Sequence, residues 1–121
     1  MESEKKLILV IDDELAILHS LKILLEDAGY DIVTTSVGME IEQLRRRIQP
    51  DLILLDMLLT GADGREILRQ MKSRKETRDI PIILLSAHPS GEAEASIHGA
   101  DDFLAKPFDI DELLEKVAKH V

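Results

Sequence analysis

The sequence has no cysteine and no tryptophan, and only one tyrosine and two phenylalanines in 121 residues. Without cysteine there can be neither disulfides nor thiolate-ligated zinc. So few aromatics remove the stacking platforms on which single-stranded nucleic acid is bound. Positive charge is also in deficit, with 15 Lys and Arg against 24 Asp and Glu and a formal net charge of −9 at pH 7. Nucleic-acid affinity comes mostly from neutralising phosphates with Lys and Arg, so this balance argues against direct nucleic-acid binding. The one basic cluster, Arg45-Arg46-Arg47, reads as the solvated end of a helix. No apolar run approaches the roughly 20 residues that span a bilayer. The segment Met1-Glu-Ser-Glu-Lys-Lys6 carries acids where a secretory signal is basic, so no membrane partner and a cytoplasmic location are expected.

What is present is a globular composition, 45% hydrophobic and 32% charged, in one domain's length, residues 1–121. A chain of this size buries about two-thirds of the surface it exposes when unfolded, enough for a core without staples. Short apolar runs at Leu7–Ile11, 52–55 and 82–85 have no polar interruption and the length of strands buried on both faces. Asp31–Thr35 and Asp102–Ala105 are weaker strand candidates. Between the runs lie helical spacings: Leu18, Leu21, Leu25 and Ala28 before Gly29; Ile41, Leu44 and Ile48 before Pro50; and Ile67, Leu68 and Met71. A short fourth helix is expected at 92–98, and a fifth carries Leu113, Leu114 and Val117 behind a cap at Asp109 or Asp111. The order βαβαβαβαβα predicts an α/β fold, a doubly wound five-stranded parallel sheet with helices on both faces.

Ligands of such sheets bind beyond the carboxyl ends of the strands, where strand order reverses. After the first run come Asp12-Asp13-Glu14, after the third strand Asp56, after the fourth Ser86, and after the fifth Lys106-Pro107. Taken singly, each has an ordinary structural reading. Asp13 can cap a helix, Asp56 can open a turn, Ser86 can be a satisfied strand-end hydroxyl and Lys106 a surface lysine. One site that uses all four accounts for them together. Three converging carboxylates, Asp12, Asp13 and Asp56, repel one another unless a hard cation takes their oxygens, and Mg²⁺ suits a site of few carboxylates plus waters and phosphate oxygens. An Asp carboxylate can act as nucleophile on phosphorus, with the ion, Lys106 and Ser86 meeting the charge on the phosphoryl oxygens.

The residues that carry these groups resemble the receiver domain of two-component response regulators along nearly the whole chain. The matching parts are Val10-Ile-Asp-Asp-Glu14, Leu52-Ile-Leu-Leu-Asp56 with Asp63-Gly64 downstream, Ser86-Ala87, and Gly99-Ala-Asp-Asp-Phe-Leu-Ala-Lys-Pro-Phe108. The resemblance implies a flavodoxin-like sheet of order 2-1-3-4-5, like that of chemotaxis regulators. It implies that Asp56 accepts a phosphoryl group from a histidine kinase or a histidine phosphotransfer protein. Asp12, Asp13, Asp56 and the backbone carbonyl of Leu58 would hold Mg²⁺. Lys106, joined to Pro107 by a cis bond, would pair with the phosphoryl oxygens, Ser86 would move toward them, and Phe103 would turn inward as the switch aromatic. The surface of the fourth helix, last strand and fifth helix would then change, and a homodimer would form through it.

Some positions depart from the family pattern. Thr60 stands where proline is common, Phe103 where tyrosine is more frequent, and the stretch between Ser86 and Gly99 is about two residues short. Leu58 and His88 occupy the positions two beyond Asp56 and Ser86, which in the family influence phosphate lifetime; apolar Leu58 cannot position water, so slow self-hydrolysis is expected. Phosphotransfer to itself and loss of the phosphate would be the only catalytic activities. Two alternatives compete: a Mg²⁺-dependent phosphatase with an Asp nucleophile, and a degenerate receiver that only binds partners. The first is disfavoured because haloacid dehalogenase-type enzymes have a second Asp where Leu58 stands. His19 and His120 read as surface or packing histidines, His98 as solvated, and Asp102 as part of the loop before the last strand.

Overall fold

The computed structural model describes residues 5–35, 49–59 and 61–121. The helix expected at 41–48, the arginine cluster within it and Thr60 lie outside the described residues.

Strands β1 (Leu7–Ile11), β2 (Asp31–Thr35), β3 (Leu52–Asp56), β6 (Ile82–Ser86) and β7 (Asp102–Ala105) form one parallel sheet in the order β2-β1-β3-β6-β7. Counting only these five, this is the expected order 2-1-3-4-5. A small antiparallel hairpin, β4 (Leu58–Leu59) with β5 (Ala62–Asp63), follows β3. The described helices are α1 (Leu15–Asp27), α2 (Gly64–Ser73), α3 (Gly91–Ile97) and α4 (Ile110–His120). None is long and apolar enough to cross a membrane.

The uninterrupted apolar runs are explained by two cores, one on each face of the sheet. Because successive strand side chains point to opposite faces, Ile8, Val10, Leu52, Leu54, Ile83 and Leu85 face α1 and α4, meeting Leu18, Leu21, Leu25, Leu113 and Val117. Leu9, Ile11, Ile53, Leu55, Ile82 and Leu84 face the other way, toward Leu68 and Met71 of α2 and Ala95 of α3.

β3 and β6 each run one residue past their apolar stretch. Asp56 pairs with Leu85, and Ser86 with Ala105, because a backbone ladder does not depend on side-chain polarity. Both polar residues are therefore fixed to the sheet itself. α2 begins where the Asp63 carboxylate accepts from the Arg65 N–H at 2.9 Å, with Glu66 in its first turn and Lys72 in its last. Its first residue, Gly64, lies so near β3 that a Cβ would come 2.0 Å from the Asp56 carbonyl oxygen. α4 is capped by Asp109, which accepts from the Asp111 N–H. α3 has seven residues, the two turns expected of it.

Candidate functional site

The chain leaves β1 for β2 on one side and returns to β3 on the other, so the carboxyl ends of β1 and β3 border the crevice of the doubly wound sheet. Asp12 follows β1 directly and Asp56 ends β3, one register step beyond the Ile11–Leu55 pair. Ser86 ends β6, and Lys106 follows β7, donating its N–H to the Ser86 carbonyl at 2.9 Å. The Lys106–Pro107 peptide bond is cis. An open cavity of about 410 Å³ lies over these ends, lined by Glu14, Asp56, Leu58, Ser86, His88 and Lys106 among others.

At its floor, Lys106 Nζ lies 2.8 Å from Asp12 Oδ2, 3.1 Å from Asp56 Oδ1 and 3.4 Å from Glu14 Oε1. Asp12 is fully buried. Its Oδ1 accepts from the Glu14 N–H at 3.0 Å, whereas its Oδ2, though ion-paired, accepts no well-angled hydrogen bond. Burial raises the pKa of Asp56 above the usual carboxylate range, and the nearby Asp12 charge adds to the rise; Lys106 opposes both without offsetting them. Burial works against the charge of Lys106, but Asp12 and Asp56 outweigh it and raise its pKa.

Of the three carboxylates expected to converge, Asp12 and Asp56 meet at Lys106. The ammonium of Lys106 takes the central place between Asp12 and Asp56, and Glu14, not Asp13, is the third carboxylate within reach of it. Asp13 is half-buried, engaged in interactions of its own, and does not line the cavity. Nor does it cap α1, whose N-cap residue is Glu14. Among the described residues, no group of three or more carboxylate or imidazole side chains is gathered into a metal cage. The chemistry of the site still suits a hard cation. A buried carboxylate oxygen without a hydrogen bond, beside a second carboxylate made costly to ionise by burial and then by that neighbour, offers oxygen ligands and an excess of negative charge.

Ser86 is buried, and its Oγ accepts from the His88 N–H at 2.9 Å. The His88 ring turns back on α3, with Nδ1 2.8 Å from Ser90 Oγ. Leu58 lies in β4 with its side chain 57% exposed at the cavity edge. Phe103 is half-buried in β7 and packs on the core beneath α2 and α3.

Asp102 opens β7, as the strand candidate at 102–105 had it and not in the loop before it, and the packing histidine His120 reaches its Oδ2 with Nε2 at 2.9 Å. His98 Nε2 lies 3.2 Å from Glu94 Oε1, half-buried instead of free in solvent. Sequence reasoning gave no role to Glu14, Gly64 or Gly91. Glu14 carried a signal in its place directly after Asp12-Asp13, and Gly64 in the Asp63-Gly64 pair, but Gly91 carried none.

A doubly wound sheet whose strand ends bring together an aspartate, a lysine and a serine defines a class. Residues 8–118 match the response regulator receiver domain, and the chain belongs to that family, the phosphoacceptor modules of two-component signalling. It is 40% identical over 114 residues to the DNA-binding dual master transcriptional regulator RpaA of Synechocystis, covering 91% of this chain and 46% of RpaA. It is 39% identical over 116 residues to the phosphate regulon transcriptional regulatory protein PhoB of Pseudomonas aeruginosa, covering 93% of this chain and 50% of PhoB. The chain thus spans about half the length of these relatives. Among solved structures it resembles the receiver domain of the sensor histidine kinase PA1611 of Pseudomonas aeruginosa PAO1, with a TM-score of 0.87 and 28% identity over 97% of this chain and 98% of that one. That structure has a magnesium ion coordinated in its active site cleft.

Proposed function

We propose that Asp56 is the phosphoacceptor, charged by the phosphohistidine of a histidine kinase or histidine phosphotransfer protein. The observation that carries this reading is the buried carboxylate of Asp56 at the end of β3, open to the cavity, with Lys106 Nζ 3.1 Å from its Oδ1. An Asp56 carboxylate oxygen attacks phosphorus, the P–N bond to the donor imidazole breaks, and its electron pair stays on the nitrogen, which takes up a proton. Lys106 holds Asp56 in place before transfer and meets the phosphoryl oxygens after it, and the Ser86 hydroxyl donates to another. Loss of the group is the reverse demand on phosphorus: water attacks, the acyl–phosphate bond breaks, and Asp56 returns as carboxylate with inorganic phosphate released. Leu58 supplies no polar group to orient that water, which supports slow self-hydrolysis.

Asp12, Asp56, Asp13 and the Leu58 carbonyl are the groups from which Mg²⁺ would be held. The ion, when bound, neutralises charge on the phosphoryl oxygens. The acidic balance of this chain supports signalling through protein partners and not through direct nucleic-acid contact by this domain. Phe103 is the proposed switch aromatic, and the face made by α3, β7 and α4 the proposed output and self-association surface.

Incubation with acetyl phosphate and Mg²⁺ followed by intact mass measurement is the direct test. One phosphoryl group should add to the wild type and none to Asp56→Asn. Phosphate uptake that survives Asp56→Asn would sink the assignment.

A further inference from the structure

The start of α3 meets the phosphoacceptor corner without a side chain. Gly91 is buried, and a Cβ built on it would lie 2.8 Å from Phe103 Cε1, 2.8 Å from Ser86 Cβ and 2.9 Å from Ser86 Oγ. The ring edge of Phe103 and the Ser86 side chain therefore face each other across the one place where Gly91 has only hydrogen. The approach is this close because four residues, 87–90, join β6 to α3. That turn is pinned at both ends, since the His88 N–H donates to Ser86 Oγ at 2.9 Å and the Gly91 N–H donates to the His88 carbonyl at 3.0 Å.

We propose that Gly91 is a positioning residue of the switch: its missing Cβ leaves the seat in which the Phe103 ring lies beside Ser86, and filling that seat disconnects the ring from the phosphoacceptor pocket. The proposal rests on Phe103 being the switch aromatic. Of the groups around the seat, the ring is the one that can yield furthest. Ser86 is held in a strand paired on both sides, at 3% exposure, and the start of α3 is tied to the turn. Phe103 is half-buried, with room toward solvent. A methyl at position 91 falls under 3.0 Å from all three neighbours, a separation that packed cores do not tolerate. The ring moves out, the start of α3 backs off Ser86 by the few tenths of an ångström that the Cβ and Oγ contacts require, and Asp56, Lys106 and Asp12 keep their places. The four-residue connection thus gives α3 direct backbone contact with the pocket, and couples the helix to Ser86 and Phe103 together.

The test is NMR on protein labelled at its two phenylalanines, Phe103 and Phe108, without and with beryllofluoride and Mg²⁺ as a phosphoryl mimic. In the wild type the Phe103 ring resonances should shift when the mimic binds, and the nuclear Overhauser contact between the ring and the Gly91 α-protons should change with them. Gly91→Ala should still take up phosphate from acetyl phosphate by intact mass, yet show one ring position, free of contact with Ser86, that ignores the mimic. A responsive ring in Gly91→Ala overturns the proposal and leaves Phe103 as the switch. So does a wild-type ring that shifts while its contact with Gly91 stays constant, a measurement that needs no variant to fold. A wild-type ring that ignores the mimic overturns the switch assignment itself, and this proposal with it.

Discussion

Two aspartates of this sheet sit beside lysines at opposite ends of the strands, and their acidities move in opposite directions. Asp102, at the start of β7, accepts from its neighbour's Phe103 N–H at 2.8 Å and from His120 Nε2 at 2.9 Å, with Lys116 Nζ 3.4 Å from its Oδ1. Burial raises its pKa, but those three donors more than offset it and the net shift is downward. Lys116 also donates to the Phe103 carbonyl, tying α4 to the same strand. Asp56, at the end of β3, is pushed upward by burial and by Asp12, and its one lysine is shared with Asp12 and Glu14. A structural carboxylate is surrounded by donors of its own. The reactive one is left short of positive charge, which is the condition a cation or an arriving phosphoryl group with its ion can relieve.

The largest effect should come from removing the reactive carboxylate. Asp56→Asn is expected to abolish phosphate uptake completely by intact mass and, in the absence of divalent ions, to raise Tm at pH 7. A carboxylate whose folded pKa lies above its ordinary 3.8 weakens the fold where it is ionised, and that penalty fades as pH falls through the raised folded pKa and is gone below the ordinary value. A variant that melts below wild type at pH 7 would erase the distinction between the two aspartates.

Next comes Lys106→Met, which strands two buried carboxylates. Breaking a buried pair this way costs about 3–5 kcal/mol, to be read from urea unfolding without divalent ions. A loss under about 1 kcal/mol, the level of an exposed pair, would mean that Asp12 and Asp56 do not depend on the lysine.

Most of this arrangement was legible in the sequence where it depends on chain order. Apolar runs located β1, β3 and β6, the weaker candidates at 31–35 and 102–105 became β2 and β7, and Asp56, Ser86 and Lys106 stood out because each stands at the end of a strand. What stayed hidden depends on distance across the fold. Nothing in the sequence says that Lys106 would lie between Asp12 and Asp56, with Glu14 as the third carboxylate within its reach. Asp102 and His120 looked unrelated because they are 18 residues apart, yet the antiparallel return of α4 over β7 brings them together. Gly64 and Gly91 carry no side chain for the sequence to read, and only the packed structure shows a backbone carbonyl and a phenyl ring where their side chains would be.

The third effect separates the two ends by ligand instead of mutation. Mg²⁺ at about ten times its dissociation constant should stabilise the fold by roughly 1.4 kcal/mol through mass action. Differential scanning should show the same upward shift in Asp102→Asn as in wild type. A much smaller shift is expected in Asp12→Asn, which removes the buried oxygen that has no hydrogen bond. Equal shifts in all three would place the ion elsewhere on the acidic surface.

The smallest effect belongs to the structural end, and its sign is the informative part. Asp102→Asn loses the charge that Lys116 and His120 meet, at a cost of about 1 kcal/mol at pH 7 given that the carboxylate is partly exposed. Because the folded pKa of Asp102 lies below its ordinary 3.8, its contribution is full above that value and is lost as pH falls further, through the lowered folded pKa. Melting curves of wild type and Asp102→Asn should therefore differ at pH 7, with the variant lower, and converge in acid. Asp56→Asn should also converge with wild type in acid, but from above. If both variants melt below wild type at neutral pH, the lysine at the strand ends compensates Asp56 as fully as the donors around Asp102 do, and the reactive corner holds no charge deficit for a cation to fill.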